Sequence, residues 1–138
     1  LLYLKKNTNR LLKYLGLKKT ALEITFVNDA FMRKQNKKFM GKSATTDVLS
    51  FPQITPGKVN KPDLKRYQNQ SLGDILISLD QAKKQASEQG ISMRKEVLFL
   101  IVHSVLHLIG YDHDGIKHEQ EMQEAEARLW QRLLKQGI

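Results

Sequence analysis

Apolar residues recur along this chain with two different periods, and the switches between them mark out its elements. Over residues 1–15, Leu1, Leu4, Leu11, Leu12 and Leu15 stand among lysines at helical spacing, and Gly16 is a natural stop. From Ala21 to Val27 the period falls to two: Leu22, Ile24 and Phe26 alternate with Glu23 and Thr25, the pattern of a half-buried strand. Asn28 or Asp29 can cap a second helix running to about Lys38. Gly41-Lys-Ser-Ala-Thr reads as a loop, and Asp47 to Phe51 as a short strand closed by Pro52. Residues 53–70, with Pro56, Gly57, Asn60, Pro62 and Asn69, read as a long loop or flap. Leu72 to Leu79 alternates again, with Ile75, Ile77 and Leu79 on one face. Asp80 can cap a helix from Gln81 to about Gln89, which Gly90 ends.

Ser92 then opens a helix of another kind. Val97 to Ile109 is apolar nearly all round, which predicts a helix at the centre of the domain. Only His103, Ser104 and His107 interrupt it, and Gly110 ends it. A last helix from about Ile116 to Gln136 carries Met122, Ala125, Leu129 and Leu133 at helical spacing, with carboxylates opposite. No internal repeat and no second core is visible, so residues 1–138 are expected to form one domain. The order of elements predicts an α+β fold: a small mixed β-sheet packed against several helices, around a central apolar helix that carries two histidines.

Composition narrows the chemistry. An apolar share of 41% argues for a globular core, and the absence of cysteine excludes a disulfide framework, a cysteine zinc cluster and a thiol nucleophile. It also fits a reducing cytosol, and cytoplasmic residence is the expectation. No signal-peptide pattern is visible, and the longest apolar run is far short of the roughly 20 residues that span a bilayer. The net charge of +9 is unevenly placed. Residues 1–66 hold fifteen Lys or Arg against four Asp or Glu; residues 67–138 hold eight against ten. Such a basic half can form a phosphate-binding face for nucleic acid, or equally a solvated lysine-rich surface.

Three of the four histidines fall within eleven residues, as His103-Ser-Val-Leu-His107-Leu-Ile-Gly110-Tyr-Asp-His113. Four residues apart on a helix, His103 and His107 are separated by about 40° around the axis and about 6 Å along it, so one ion can meet both imidazoles. Gly110 lets the chain reverse so that His113 can return as a third ligand. Three imidazoles and an open fourth position suit catalytic zinc, with nickel, copper and iron not excluded. The competing reading, core and turn histidines, explains His103 poorly, because an imidazole on the most apolar helix needs partners for two nitrogens. Asp112 and Asp114 are candidates to orient a ligand imidazole or touch metal-bound water, and equally read as turn residues and a helix cap. His118 reads as a solvated residue in the last helix's first turn, and Tyr111 as a packing residue that could also donate to a substrate oxygen. Ser104 stands where a zinc peptidase carries its glutamate base; its small side chain suits helix packing.

The histidine stretch resembles the signature of the YbeY family, the ribosomal RNA maturation factors reported as endoribonucleases. Thr46-Asp-Val-Leu-Ser-Phe-Pro52 is similar to that family's second block and Leu72-Gly-Asp-Ile-Leu-Ile-Ser78 to its third, in the same order and spacing. The resemblance implies a zinc-bound α+β fold, cleavage of single-stranded RNA, and a role in small-subunit ribosomal RNA processing and ribosome quality control. Its three zinc ligands carry over onto His103, His107 and His113. This chain departs from the family pattern at Ser104, where glycine is usual, and at Phe39-Met40, where a Tyr-Arg pair is usual.

The expectation is therefore metal-assisted cleavage of RNA phosphodiesters, with the basic half holding the backbone and the 53–70 loop bordering the groove. Precursor ribosomal RNA and the small ribosomal subunit are the expected partners, with no membrane. Two alternatives stand beside it. One is a metal-stabilised RNA- or ribosome-binding module without cleavage, which basic charge and the Met40 substitution favour. The other is a metallopeptidase, which the His-Gly-His spacing fits and Ser104 opposes.

Overall fold

The structure, a computed structural model, describes residues 1–17, 19–53, 64–111 and 115–138. Its elements follow the period switches closely. Helix α1 covers Leu2–Tyr14, strand β1 Ala21–Val27, helix α2 Asp29–Met40, strand β2 Val48–Pro52 and strand β3 Ser71–Ser78. Three further helices complete the chain: α3 at Leu79–Gln89, α4 at Met93–Leu108 and α5 at Gly115–Lys135. The α+β architecture expected from the sequence is the one observed.

The strands form one three-stranded mixed sheet in the order β1-β3-β2, with β1 parallel and β2 antiparallel to β3. The register aligns Ile24, Ile75 and Ser50 in one cross-strand row and Phe26, Ile77 and Val48 in the next. These rows share a face because side chains alternate along a strand. Ile75 and Ile77 are fully buried on it, with Leu22, Ile24, Phe26 and Val48 packed around them. The intervening row of Thr25, Leu76 and Leu49 lies on the other face, as does the flanking row of Glu23, Asp74 and Phe51.

Helix α4 is the axis of the core. Val97, Leu98, Ile101, Val102, Val105 and Leu106 point to different sides of it, yet each is at most 2% exposed. It packs against α1, α3, α5, β2 and β3, which is why an apolar stripe alone would not suffice. Helix α1 adds two cation–π contacts to this packing. The Arg94 guanidinium lies 4.5 Å from the Tyr3 ring centre, and that of Arg132 lies 3.9 Å from the Tyr14 ring centre.

Three boundary expectations are corrected. Leu79 does not end β3; it opens α3, because the Ser78 hydroxyl accepts from the Gln81 N–H and so caps the helix in place of Asp80. Helix α2 runs to Met40, two residues past Lys38, and ends on Gly41 in a left-handed conformation. Within the stretch read as a loop, Leu64–Tyr67 forms a short 3-10 helix. Its Tyr67 ring is 1% exposed, and the Tyr67 hydroxyl donates to the Leu108 carbonyl at 3.5 Å. Residues 54–63 of that stretch lie outside the described residues.

Asp29 joins four segments. Its Oδ1 accepts from the Ser78 hydroxyl at 2.7 Å and the Thr45 hydroxyl at 3.2 Å, and its Oδ2 accepts from Gln81 Nε2 at 2.9 Å. Its own N–H donates to Asp80 Oδ2 at 2.8 Å. The start of α2, the loop before β2, the end of β3 and the start of α3 are thereby held together.

Candidate functional site

A cleft of about 870 Å³ runs along the outer edge of β2. The end of α2, with Phe39 and Met40, forms one wall, and the second half of α4, with His103 and His107, forms the other. The chain from Ala44 to Pro52 closes it between them. Two of the blocks singled out in the sequence, the histidine stretch and the Thr46-to-Pro52 segment, therefore border one cavity.

His103 and His107 project from α4 one turn apart, and their Nε2 atoms face each other at 3.2 Å. The other nitrogen of His103 is engaged from α5, where Nδ1 meets Glu126 Oε1 at 2.5 Å. A carboxylate there accepts a hydrogen bond from Nδ1–H, the tautomer that leaves the lone pair on Nε2. Zinc–nitrogen bonds of about 2.0–2.1 Å at tetrahedral angles put two ligand nitrogens about 3.3 Å apart, so the pair has the spacing of one edge of such a site.

His113, Asp112 and Asp114 lie outside the described residues. Among the described residues, no three His, Asp or Glu side chains gather on one point in a way that would hold a metal. Glu126 does not complete such a set with the two histidines, since it engages Nδ1, on the far side of the His103 ring from Nε2. His118 is half-buried, with its Nδ1 inaccessible to water, and is thus not the solvated residue that the sequence predicts. Tyr111 packs against the core, as expected.

Ser104 is fully buried, and its hydroxyl has no hydrogen-bond partner among the described residues. It does not border the cleft that its neighbour His103 lines. The position that would carry a peptidase base therefore points into the core, which opposes the peptidase reading on geometry as well as on residue type.

Glu126 was not among the candidate residues from sequence. It follows Ala125 and lies four residues after Met122, both buried, so it stands on the border of the apolar stripe of α5. A carboxylate in that position is the signal that could have found it. The basic half reaches the cleft through Lys42. Arg33, Lys34, Lys37 and Lys38 are exposed on α2, and exposed Lys42 follows and lines the cavity.

Among the described residues, no helix is long and apolar enough to cross a membrane. Residues 3–134 match the family described as Endoribonuclease YbeY. A protein of that description from Sulfurihydrogenibium is 43% identical over 112 residues, which cover 81% of this chain and 68% of that one. Its counterpart from Persephonella marina is 39% identical over 120 residues, covering 87% of this chain and 74% of that one. The solution structure of TM1509 from Thermotoga maritima shares the fold, with a TM-score of 0.58 and 22% identity, over 97% of this chain and 83% of that one.

Proposed function

The chain belongs to the YbeY endoribonuclease family, and from that premise we propose that it is a metal-dependent, single-strand-specific endoribonuclease. Its substrate is precursor ribosomal RNA of the small subunit, and it works in the cytoplasm in ribosomal RNA maturation and ribosome quality control. His103, His107 and His113 hold one zinc ion. The observation that carries this reading is the convergence of the His103 and His107 Nε2 atoms at 3.2 Å on the wall of a cleft that Lys42 also lines.

A bound divalent ion supplies Lewis acidity towards a phosphoryl oxygen and lowers the pKa of its water. The chain's own residues do the rest. Glu126 keeps the His103 proton on Nδ1 and so keeps Nε2 available as a ligand. The lysines of α2 and Lys42 attract the RNA backbone to the cleft, as point charges rather than the bidentate forks that arginines would offer.

The test is metal analysis of untagged protein paired with cleavage of single-stranded RNA, with and without chelator. One equivalent of zinc and chelator-sensitive cleavage are expected, with His107→Ala losing both while still binding RNA. A zinc-bound protein that leaves RNA intact would sink the enzymatic claim. That outcome would favour a metal-stabilised RNA-binding module. This second reading draws on one observation: exposed Met40 lines the cleft where the family usually has arginine.

A further inference from the structure

The cleft opposite the histidines has an apolar wall, formed by Phe39 and Met40, that stays half-exposed. Phe39 and Met40 are 52% and 57% exposed at the end of α2, although exposing apolar side chains to water is unfavourable. Phe39 is nevertheless held in place. Phe51, from β2, meets it at a centroid distance of 5.0 Å and an interplanar angle of 68°, an edge-to-face contact. The ammonium of Lys38 lies 5.1 Å from the Phe39 ring centre, so cationic charge already gathers at the ring's accessible surface. Lys42, just past the Gly41 cap of α2, lines the same cavity. A fixed, half-exposed aromatic ring between lysines, across a cleft from two imidazoles, is the combination that holds a nucleobase and its phosphate together.

We propose that Phe39, braced by Phe51, is the stacking platform for one unpaired nucleobase of the RNA strand, and that Lys38 and Lys42 take the phosphates on either side of it. The proposal rests on the reading of the cleft as an RNA site and assigns the origin of its strand preference. A base within a duplex has both faces covered by its neighbours, so only a base splayed out of a single strand can lie on the ring. Stacking needs a π-face and tolerates any base, so the platform selects for strandedness and not for sequence. Lys38 can swing from the ring to a phosphate because its stem is flexible and its head is a compact charge.

The test compares Phe39→Leu, which keeps an apolar side chain, with Phe39→Trp, which keeps an aromatic face. Each is assayed as full-length chain by fluorescence anisotropy against a short single-stranded RNA with 2′-O-methyl riboses and against its duplex. Phe39→Leu is expected to weaken single-strand binding by about ten-fold and leave duplex binding unchanged, while Phe39→Trp retains wild-type affinity. An abasic nucleotide at the stacked position is expected to erase the difference between wild type and Phe39→Leu. Wild-type affinity in Phe39→Leu, or equal losses on single strand and duplex, overturns the platform. If wild type cleaves unmodified RNA in the same preparation, that loss touches the platform alone. If wild type neither binds nor cleaves RNA, the reading of the cleft falls with it.

Discussion

Glu126 of α5 and His103 of α4 meet at 2.5 Å, Oε1 against Nδ1, across 23 residues of sequence. The carboxylate side chain is 14% exposed and the imidazole 25%, so the contact is partly shielded from water. Its consequence is directional. With the proton held on Nδ1, the nitrogen that faces His107 is the one with the lone pair.

Removing that carboxylate is expected to weaken zinc binding while leaving the three histidines in place. Glu126→Gln keeps an acceptor oxygen without the charge and is expected to lower affinity by about ten-fold; Glu126→Ala is expected to approach one hundred-fold. Competition with a chromogenic chelator at neutral pH measures both. Unchanged zinc affinity in the two variants would remove Glu126 from the site.

Ser104 is expected to tolerate loss of its hydroxyl and to reject a larger acid. Its Oγ is buried without a partner among the described residues, so Ser104→Ala is expected to be neutral or to stabilise by up to about 1 kcal/mol. Ser104→Glu puts a carboxyl into a site that is fully buried and is expected to cost about 3 kcal/mol or more in urea unfolding. It is also expected to confer no cleavage of casein, since the side chain would enter the core and not the cleft. A stable Ser104→Glu protein with chelator-sensitive casein cleavage would restore the peptidase reading.

The elements that were legible in sequence are those whose burial is periodic along the chain itself. Strand β1 has its expected ends because Leu22, Ile24 and Phe26 alternate without interruption. Helix α4 was visible as a core helix because it is apolar on every side. Leu79 was misplaced because it continues the alternation of β3, whereas the helix start is decided by the Ser78 hydroxyl and by pairing of the Ser78 N–H with the Asp47 carbonyl. Tyr67 and Glu126 were missed for a related reason. Their partners, Leu108 and His103, lie 41 and 23 residues away, and no local period encodes such contacts.

Gly73 is expected to be irreplaceable for backbone reasons. It adopts φ of +134°, and a Cβ built there would lie 2.1 Å from the Phe51 carbonyl oxygen and 3.0 Å from the Gln53 nitrogen. Both obstacles are backbone atoms, one in β2 and one just after it, so no side-chain rotation relieves them. Gly73→Ala is expected to destabilise the fold by about 2–3 kcal/mol and to displace Phe51 from Phe39. Thermal unfolding measures the first effect. A variant as stable as wild type would show that β2 can move aside freely.

Asp29 is expected to give the fold an acid-sensitive joint. The hydrogen bond from Ser78, with those from Gln81 and Thr45 and the nearby Arg33 charge, holds its carboxyl below the usual carboxylate range despite opposing desolvation. The unfolded chain therefore binds this proton more readily than the folded one. The resulting stability is present above the ordinary carboxylate pKa of about 4 and is lost as pH falls through the lower folded value. Asp29→Asn cannot lose it twice. At neutral pH the variant is expected to be less stable than wild type by about 1 kcal/mol, because one acceptor oxygen becomes a donor amide facing other donors. As pH falls through and below the ordinary carboxylate range the two stability curves are expected to converge, with wild type falling the faster. Urea midpoints at a series of pH values decide the matter, and parallel curves would mean that the Asp29 charge contributes nothing to holding α2, β3 and α3 together.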